Sequence, residues 1–233
     1  MAVPASRPAD PAEPLAGAER RPRADAARNR ERLLAAASEL FRLHGLDVAV
    51  SEIAERAGVG RATLFRNFPT KNDLVIAVIL ERMRESIANG RTMLERGEPR
   101  GRLLETLIAP LAEGQQMDRA LFEAVGVEEF ISSPDVQAVH RELLETVDAL
   151  LAADHAAGTV RGDIGAYDVL MLIKGACKVT MDLGGDEGRR ALARQITLIR
   201  SAISAEAADA CPFTDAPLSF ADVDRAHRAG RCA

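Results

Sequence analysis

The chain has no tryptophan, one tyrosine and seven phenylalanines among its 233 residues. An interior with so few rings has to be built from Ala, Leu, Val and Ile, and high Ala and Leu with few β-branched runs favours helices. Cysteine is scarce as well. Cys177, Cys211 and Cys232 are an odd number without regular spacing, so they outline no disulfide framework, and no CxxC or Cys/His cluster suggests zinc. There is no Gly-rich phosphate loop, nucleophile elbow or metal-ligand cluster, so neither an enzyme nor a cofactor or metal is expected. No run approaches the roughly 18 apolar residues of a membrane span. The N-terminus lacks the apolar core of a signal peptide, so the expected setting is cytoplasmic, with no membrane partner.

What is present is an uneven charge distribution. The net charge is −5, yet the segment from Arg20 to Lys71 holds eleven basic residues against six acidic ones. A basic segment on an acidic body suits a protein that meets nucleic acid with one end only.

The hydrophobic pattern divides the chain into four parts. Residues 1–26, rich in Ala, Pro and Arg, read as a disordered basic arm. A helix is predicted from Ala27, with Leu33, Ala37, Leu40 and Phe41 as its buried stripe and Gly45 as its end. It opens a compact unit over 27–75. Residues 76–207 read as a larger helical domain. Its predicted helices run from 71 to about 96, over 101–113 and 118–131, from Pro134 to about Ala157, and over roughly 165–183 and 187–207. Residues 208–233 are poorly periodic and read as a tail.

The densest information lies in Ser51–Leu74, SEIAERAGVGRATLFRNFPTKNDL. Ile53, Ala54 and Ala57 make one apolar face of a short helix. Gly58 can end it in a left-handed conformation, and Val59 plugs the gap to the next helix. That second helix, Arg61 to Phe68, is expected to bury Leu64, Phe65 and Phe68. Its other face carries Arg61, Ala62, Thr63, Arg66 and Asn67, a set suited to the edges of bases in a major groove. Pro69 stops it, and Thr70-Lys71-Asn72-Asp73 reads as the cap of a further helix. Lys71, at that helix's start, suits a phosphate. Helix, tight turn, helix is the layout of a DNA reader.

With these residues in hand, Arg30–Leu74 resembles the DNA-binding domain of the TetR family of bacterial transcriptional regulators. The ordered Ile-Ala, Ala-Gly-Val, Thr-Leu-Phe, Phe-Pro and Lys71 carry the resemblance. Three positions depart from the family pattern. Ala49 replaces a capping threonine, Gly60 a capping serine, and Phe65 a tyrosine whose hydroxyl would reach a phosphate.

The resemblance implies an all-α protein. An N-terminal helix-turn-helix domain would be followed by a helical ligand-binding and dimerisation domain. It implies a homodimer on a pseudo-palindromic double-stranded operator, with the last two helices forming an intersubunit four-helix bundle; Ile199 is expected at that seam. It further implies a repressor released by an unidentified small-molecule ligand, the signal passing along the helix 71–96. Leu103, Leu107, Leu111, Phe122, Phe130, Met171 and Lys174 are the candidate pocket, and their character suggests a mainly apolar ligand. Lys174 reads either as a counter-charge to an anionic ligand or as a snorkelling side chain. The arm Arg20–Arg30 either tracks the DNA backbone or minor groove or merely solubilises. His140 and His155 read as structural or surface residues, and Cys177 as a buried, inert thiol. The competing function is an architectural or partner-binding DNA protein of the same fold without an inducer.

Overall fold

The computed structural model describes residues 20–96, 133–181, 183, 185–219, 221–223 and 225–226. The helices within them are α1 (Arg20–His44), α2 (Val50–Ala57), α3 (Arg61–Asn67), α4 (Lys71–Arg96), α5 (Pro134–Ala156), α6 (Ala166–Met181), α7 (Gly185–Ile203) and the short α8 (Ala205–Ala210). A 3-10 turn at Gly45–Asp47 joins α1 to α2. The expected helices at 101–113 and 118–131 lie outside the described residues, as do most of the expected arm and the end of the tail.

α1 begins at Arg20, seven residues before the expected start, so residues 20–26 of the predicted disordered arm are helical. Pro22 does not prevent this, because the first-turn N–H groups of a helix have no intrahelical acceptor. The Ala-rich sequence that follows propagates a helix well.

Among the described residues two hydrophobic clusters stand out. The first gathers Leu33, Ala37 and Phe41 of α1, Ile53, Ala54 and Ala57 of α2, Leu64 and Phe68 around α3, and Leu74, Val78 and Ile79 of α4. It continues along α4 through Met83 and Ile87 to Val136 and Val139 of α5. The second joins Leu144, Val147 and Leu151 of α5 to Ile173 and Cys177 of α6 and Leu192, Ile196, Ile199 and Ile203 of α7. α5 therefore serves both clusters, and α4 reaches it from the reader. Burial pushes the Cys177 thiol up to about 12, consistent with an inert side chain.

The apolar row of α7 differs from its expected use. Ile199 is buried within this chain, packed in the second cluster, and is not available as a seam residue. A period of 3.6 reveals that a row is covered but not by which chain.

The predicted tail is partly structured. Arg161, only 3% exposed, donates to both carboxylate oxygens of Asp163 at 2.5 and 2.8 Å. It also donates to the carbonyls of Ala202 at 3.3 Å and Cys211 at 2.7 Å, and lies 3.7 Å from the ring centroid of Phe213. The Phe213 N–H donates to Asp163 at 2.9 Å. A backbone bridge between Val160 and Ser204 completes the junction. These bonds from Arg161 and Phe213 hold the Asp163 carboxyl well below the usual carboxylate range. The pair is therefore charged at neutral pH; its contribution is complete above the ordinary carboxylate range and is lost progressively as pH falls from there through the depressed value.

α4 and α5 pack closely at Gly90. A Cβ there would meet Thr146 Cγ2 at 2.6 Å, and the Thr146 hydroxyl is committed to the Glu142 carbonyl at 2.9 Å, which fixes its methyl in place. Gly90→Ala should fail to deliver alanine's helix-propensity gain, because overpacking opposes it. Thr146→Ser removes the obstructing methyl. In urea unfolding, the double variant should show a favourable coupling of about 1 kcal/mol; strict additivity would mean that the crossing is loose.

Candidate nucleic-acid interface

The geometry of the reader follows from how α3 is held. Leu64 is fully buried and Phe68 nearly so, which fixes the rotation of this seven-residue helix against α1 and α2. Gly58 ends α2 with φ +63°, a left-handed value that favours glycine. Its N–H and that of Val59 close onto the carbonyls of Glu55 and Ala54 at 2.9 and 3.0 Å. Val59 packs partly buried against the core, as its place in the turn suggests.

Arginines of α1 and α2 brace this unit. Arg32 donates to the Gly58 carbonyl at 3.3 Å, at the turn itself. Arg30 stacks over Phe68, 4.4 Å from the ring centroid, and donates to the Asn67 carbonyl at 3.5 Å. Arg56 pairs with Glu39 of α1 at 2.7 Å. Part of the positive charge seen in the sequence is thus used to assemble the reader.

The outward face of α3 consists of Arg61, Ala62, Phe65 and Arg66, all exposed. They form two i, i+4 pairs, Arg61 with Phe65 and Ala62 with Arg66, so the four side chains make one contiguous patch. Among the described residues neither Arg61 nor Arg66 engages a carboxylate. Thr63 and Asn67 are half-buried at the flank, and the Asn67 amide donates to the Thr63 carbonyl at 2.8 Å. The expected set is therefore divided, with Arg61, Ala62 and Arg66 at the centre and Thr63 and Asn67 at the edge.

Phe65 was expected inside and is 40% exposed. The i, i+1, i+4 spacing does not decide this by itself, since α2 buries Ile53, Ala54 and Ala57 at the same spacing, whereas what packs against α3 covers only Leu64 and Phe68. Phe65 lies about 100° around from Leu64, on the open side. The sequence did carry a signal for this, since the resemblance puts a hydroxyl-bearing tyrosine at the same position.

Lys71, half-buried, is the first residue of α4. Thr70 and Asp73 form a reciprocal cap. Asp73 accepts from the Thr70 N–H at 2.9 Å and hydroxyl at 2.8 Å, while the Asp73 N–H donates to the Thr70 hydroxyl at 3.1 Å. This cap holds Lys71 beside the end of α3. At the departures Ala49 and Gly60, α2 and α3 begin without any side-chain cap.

Of the candidate pocket, Leu103, Leu107, Leu111, Phe122 and Phe130 lie outside the described residues. Met171, 58% exposed, and Lys174 point outward from α6 rather than into an interior. Partial desolvation nevertheless lowers the Lys174 pKa from the usual lysine value. His140 sits edge-on to Tyr167 with ring centroids 6.2 Å apart. No group of His, Cys, Asp and Glu able to hold a metal occurs among the described residues, and none of their helices is long and apolar enough to cross a membrane.

Comparison with known proteins agrees with this geometry. The family model for bacterial regulatory proteins of the tetR family matches residues 33–78. The model for the SbtR-like transcriptional regulator C-terminal domain matches residues 98–201. The crystal structure of a TetR transcription regulatory protein from Mycobacterium vanbaalenii is 33% identical, with a TM-score of 0.55, covering 78% of this chain and 98% of that one. A TetR transcriptional regulator from Streptomyces coelicolor is 25% identical, with a TM-score of 0.57 over 75% and 98% of the two chains. A TetR-family regulator from Agrobacterium tumefaciens, at 17% identity, shares the fold with a TM-score of 0.61 over 77% and 99%.

The cap gives a direct check on how the reader is held together. Thr70→Ala removes the hydroxyl that gives and receives two of the three capping bonds, so it should cost about 0.5–2 kcal/mol in denaturant unfolding. An unchanged midpoint would mean that α4 needs no cap to begin at Lys71.

Proposed function

The chain belongs to the TetR family of bacterial transcriptional regulators, and we propose that it works in the cytoplasm as a homodimeric repressor whose grip on a palindromic operator is released by a small molecule. DNA binding and transcription regulation are what the family does, and the family is not one of enzymes. The observation that carries the proposal is the exposed patch of α3, with its two guanidinium groups engaging no carboxylate among the described residues. Arginine can pair bidentately with guanine in the major groove. Lys71 supplies a phosphate contact next to it, reinforced by the positive end of the helix it begins. Thr63 and Asn67 contribute from the flank.

A second exposed surface supports the dimer. Met171, Leu172 and Val179 of α6 and Leu198 of α7 are large apolar side chains left in contact with water. Gly175 lies on the same side of α6, and nothing comes within 4 Å of a Cβ built on it. A glycine inside a helix costs about 1 kcal/mol relative to alanine. Close passage of a partner helix at that point gives it a reason, and apolar side chains on either side would bury against the partner.

Release follows from α4, which is packed into the reader at one end and against α5 further along. A small tilt of α4 in each protomer changes the separation of the two readers, which must match half-sites about 34–36 Å apart or a multiple of a turn. Shifting the balance from 1:99 to 99:1 takes about 5.5 kcal/mol of differential ligand affinity.

Selection from random DNA should yield a palindromic operator. Arg66→Ala should cost about 1–3 kcal/mol and relax preference at one position in each half-site. Lys71→Ala should weaken all sequences alike and flatten the salt dependence by about one counterion. Operator binding unchanged in both variants would remove the reading surface from α3. For the dimer, Leu198→Glu is the informative change. At 52% exposure Leu198 leaves a monomer foldable, while the charge would be buried and unpaired in the dimer. Sedimentation should show a folded monomer without tight operator binding; a folded dimer would put the interface elsewhere.

A further inference from the structure

Phe65 lies at the centre of the outward face of α3, between residues the proposed function assigns to DNA, and it is 40% exposed. The chain handles its other reader aromatic differently. Phe68 is 2% exposed, and the Arg30 guanidinium lies over its ring. Phe41, a third ring in the same unit, is fully buried. Phe65 thus leaves apolar carbon in water within the patch formed by Arg61, Ala62 and Arg66.

A phenyl ring has no hydrogen-bond donor or acceptor of the ordinary kind. It cannot hold a phosphate, and it cannot pair with the polar edge of a base. The apolar feature offered by the major groove is the C5-methyl group of thymine. We propose that Phe65 is a specificity-determining residue that reads one thymine methyl in each half-site. The inference rests on α3 being the reading helix, and it adds a base preference that arginines do not supply. Ala62, next to Phe65 on the same face, is small enough to let the ring approach the floor of the groove.

The test uses the full chain and the operator it selects from random DNA. Each thymine is replaced in turn, in both half-sites together, by deoxyuridine, which removes the methyl group and nothing else. Loss of one buried methyl should weaken binding roughly fourfold per half-site, so about 15-fold for the doubly substituted operator. This should occur at one symmetric thymine position for which Phe65 is responsible. Phe65→Ala should then bind the thymine and deoxyuridine operators equally well. Phe65→Gln, which keeps length and helix propensity but removes the apolar end, should do the same and covers the case in which the alanine variant does not fold.

Methyl dependence that persists in a folded Phe65 variant would assign the methyl to another residue and overturn the proposal. A parent protein indifferent to every deoxyuridine substitution would overturn it as well. In both cases an operator has been selected, so the DNA reading itself survives. Failure of the parent to select any operator would instead contradict the proposed function and this inference with it.

Discussion

The burial of Leu64 and Phe68 sets the rotational phase of α3, and most of what the reader can do depends on that phase. With those two side chains held in the first core, Arg61, Ala62, Phe65 and Arg66 have nowhere to go but outward. A rotation by a single residue, about 100°, would replace guanidinium groups with leucine on the open face. The short helix could not fix this phase through its own hydrogen bonds, because seven residues are too few for independent stability. The phase is imposed by α1 and α2, reinforced by Arg32 on the turn and by Arg30 over Phe68.

The same core extends without interruption along α4 to α5. In the proposed function, this continuity is the route by which a reader and a body with different tasks would respond to each other. Their connection is a continuous helix, packed closely at Gly90 against Thr146, rather than a flexible linker. Close-packed helices tend to change arrangement by discrete shifts, which suits a regulator with two states. At the far end, Arg161 ties the loop after α5 to the end of α7 and to the segment beyond it. The second core is thereby closed by polar bonds where apolar periodicity ends.

Much of this was legible in the sequence. The turn at Gly58, the cap at Thr70 and Asp73, the starts of α3 and α4 and the all-helical class depend on local chemistry: a left-handed glycine, a reciprocal side-chain bond, a proline that stops a helix. Other features depend on contacts between distant residues. Phe65 and Phe68 are both spaced to be buried, and only the packed arrangement of α1 to α3 decides between them. Ile199 and Leu198 are adjacent apolar residues; the first is covered within the chain and the second is left bare. The Arg161 junction unites residues some 50 positions apart, with no motif to announce it. The early start of α1 was hidden by an alanine- and arginine-rich composition that fits a disordered arm and a helix equally well.

The central claim is that the outward face of α3 is the surface that reads sequence. The most direct measurement is a structure of the protein bound to its selected operator. The account predicts two copies of α3 in successive major grooves, about 34–36 Å apart, with Arg61, Ala62, Phe65 and Arg66 against base edges and Lys71 on a phosphate. A complex in which that face looks into solvent, or lies along the backbone without reaching a base, would contradict it.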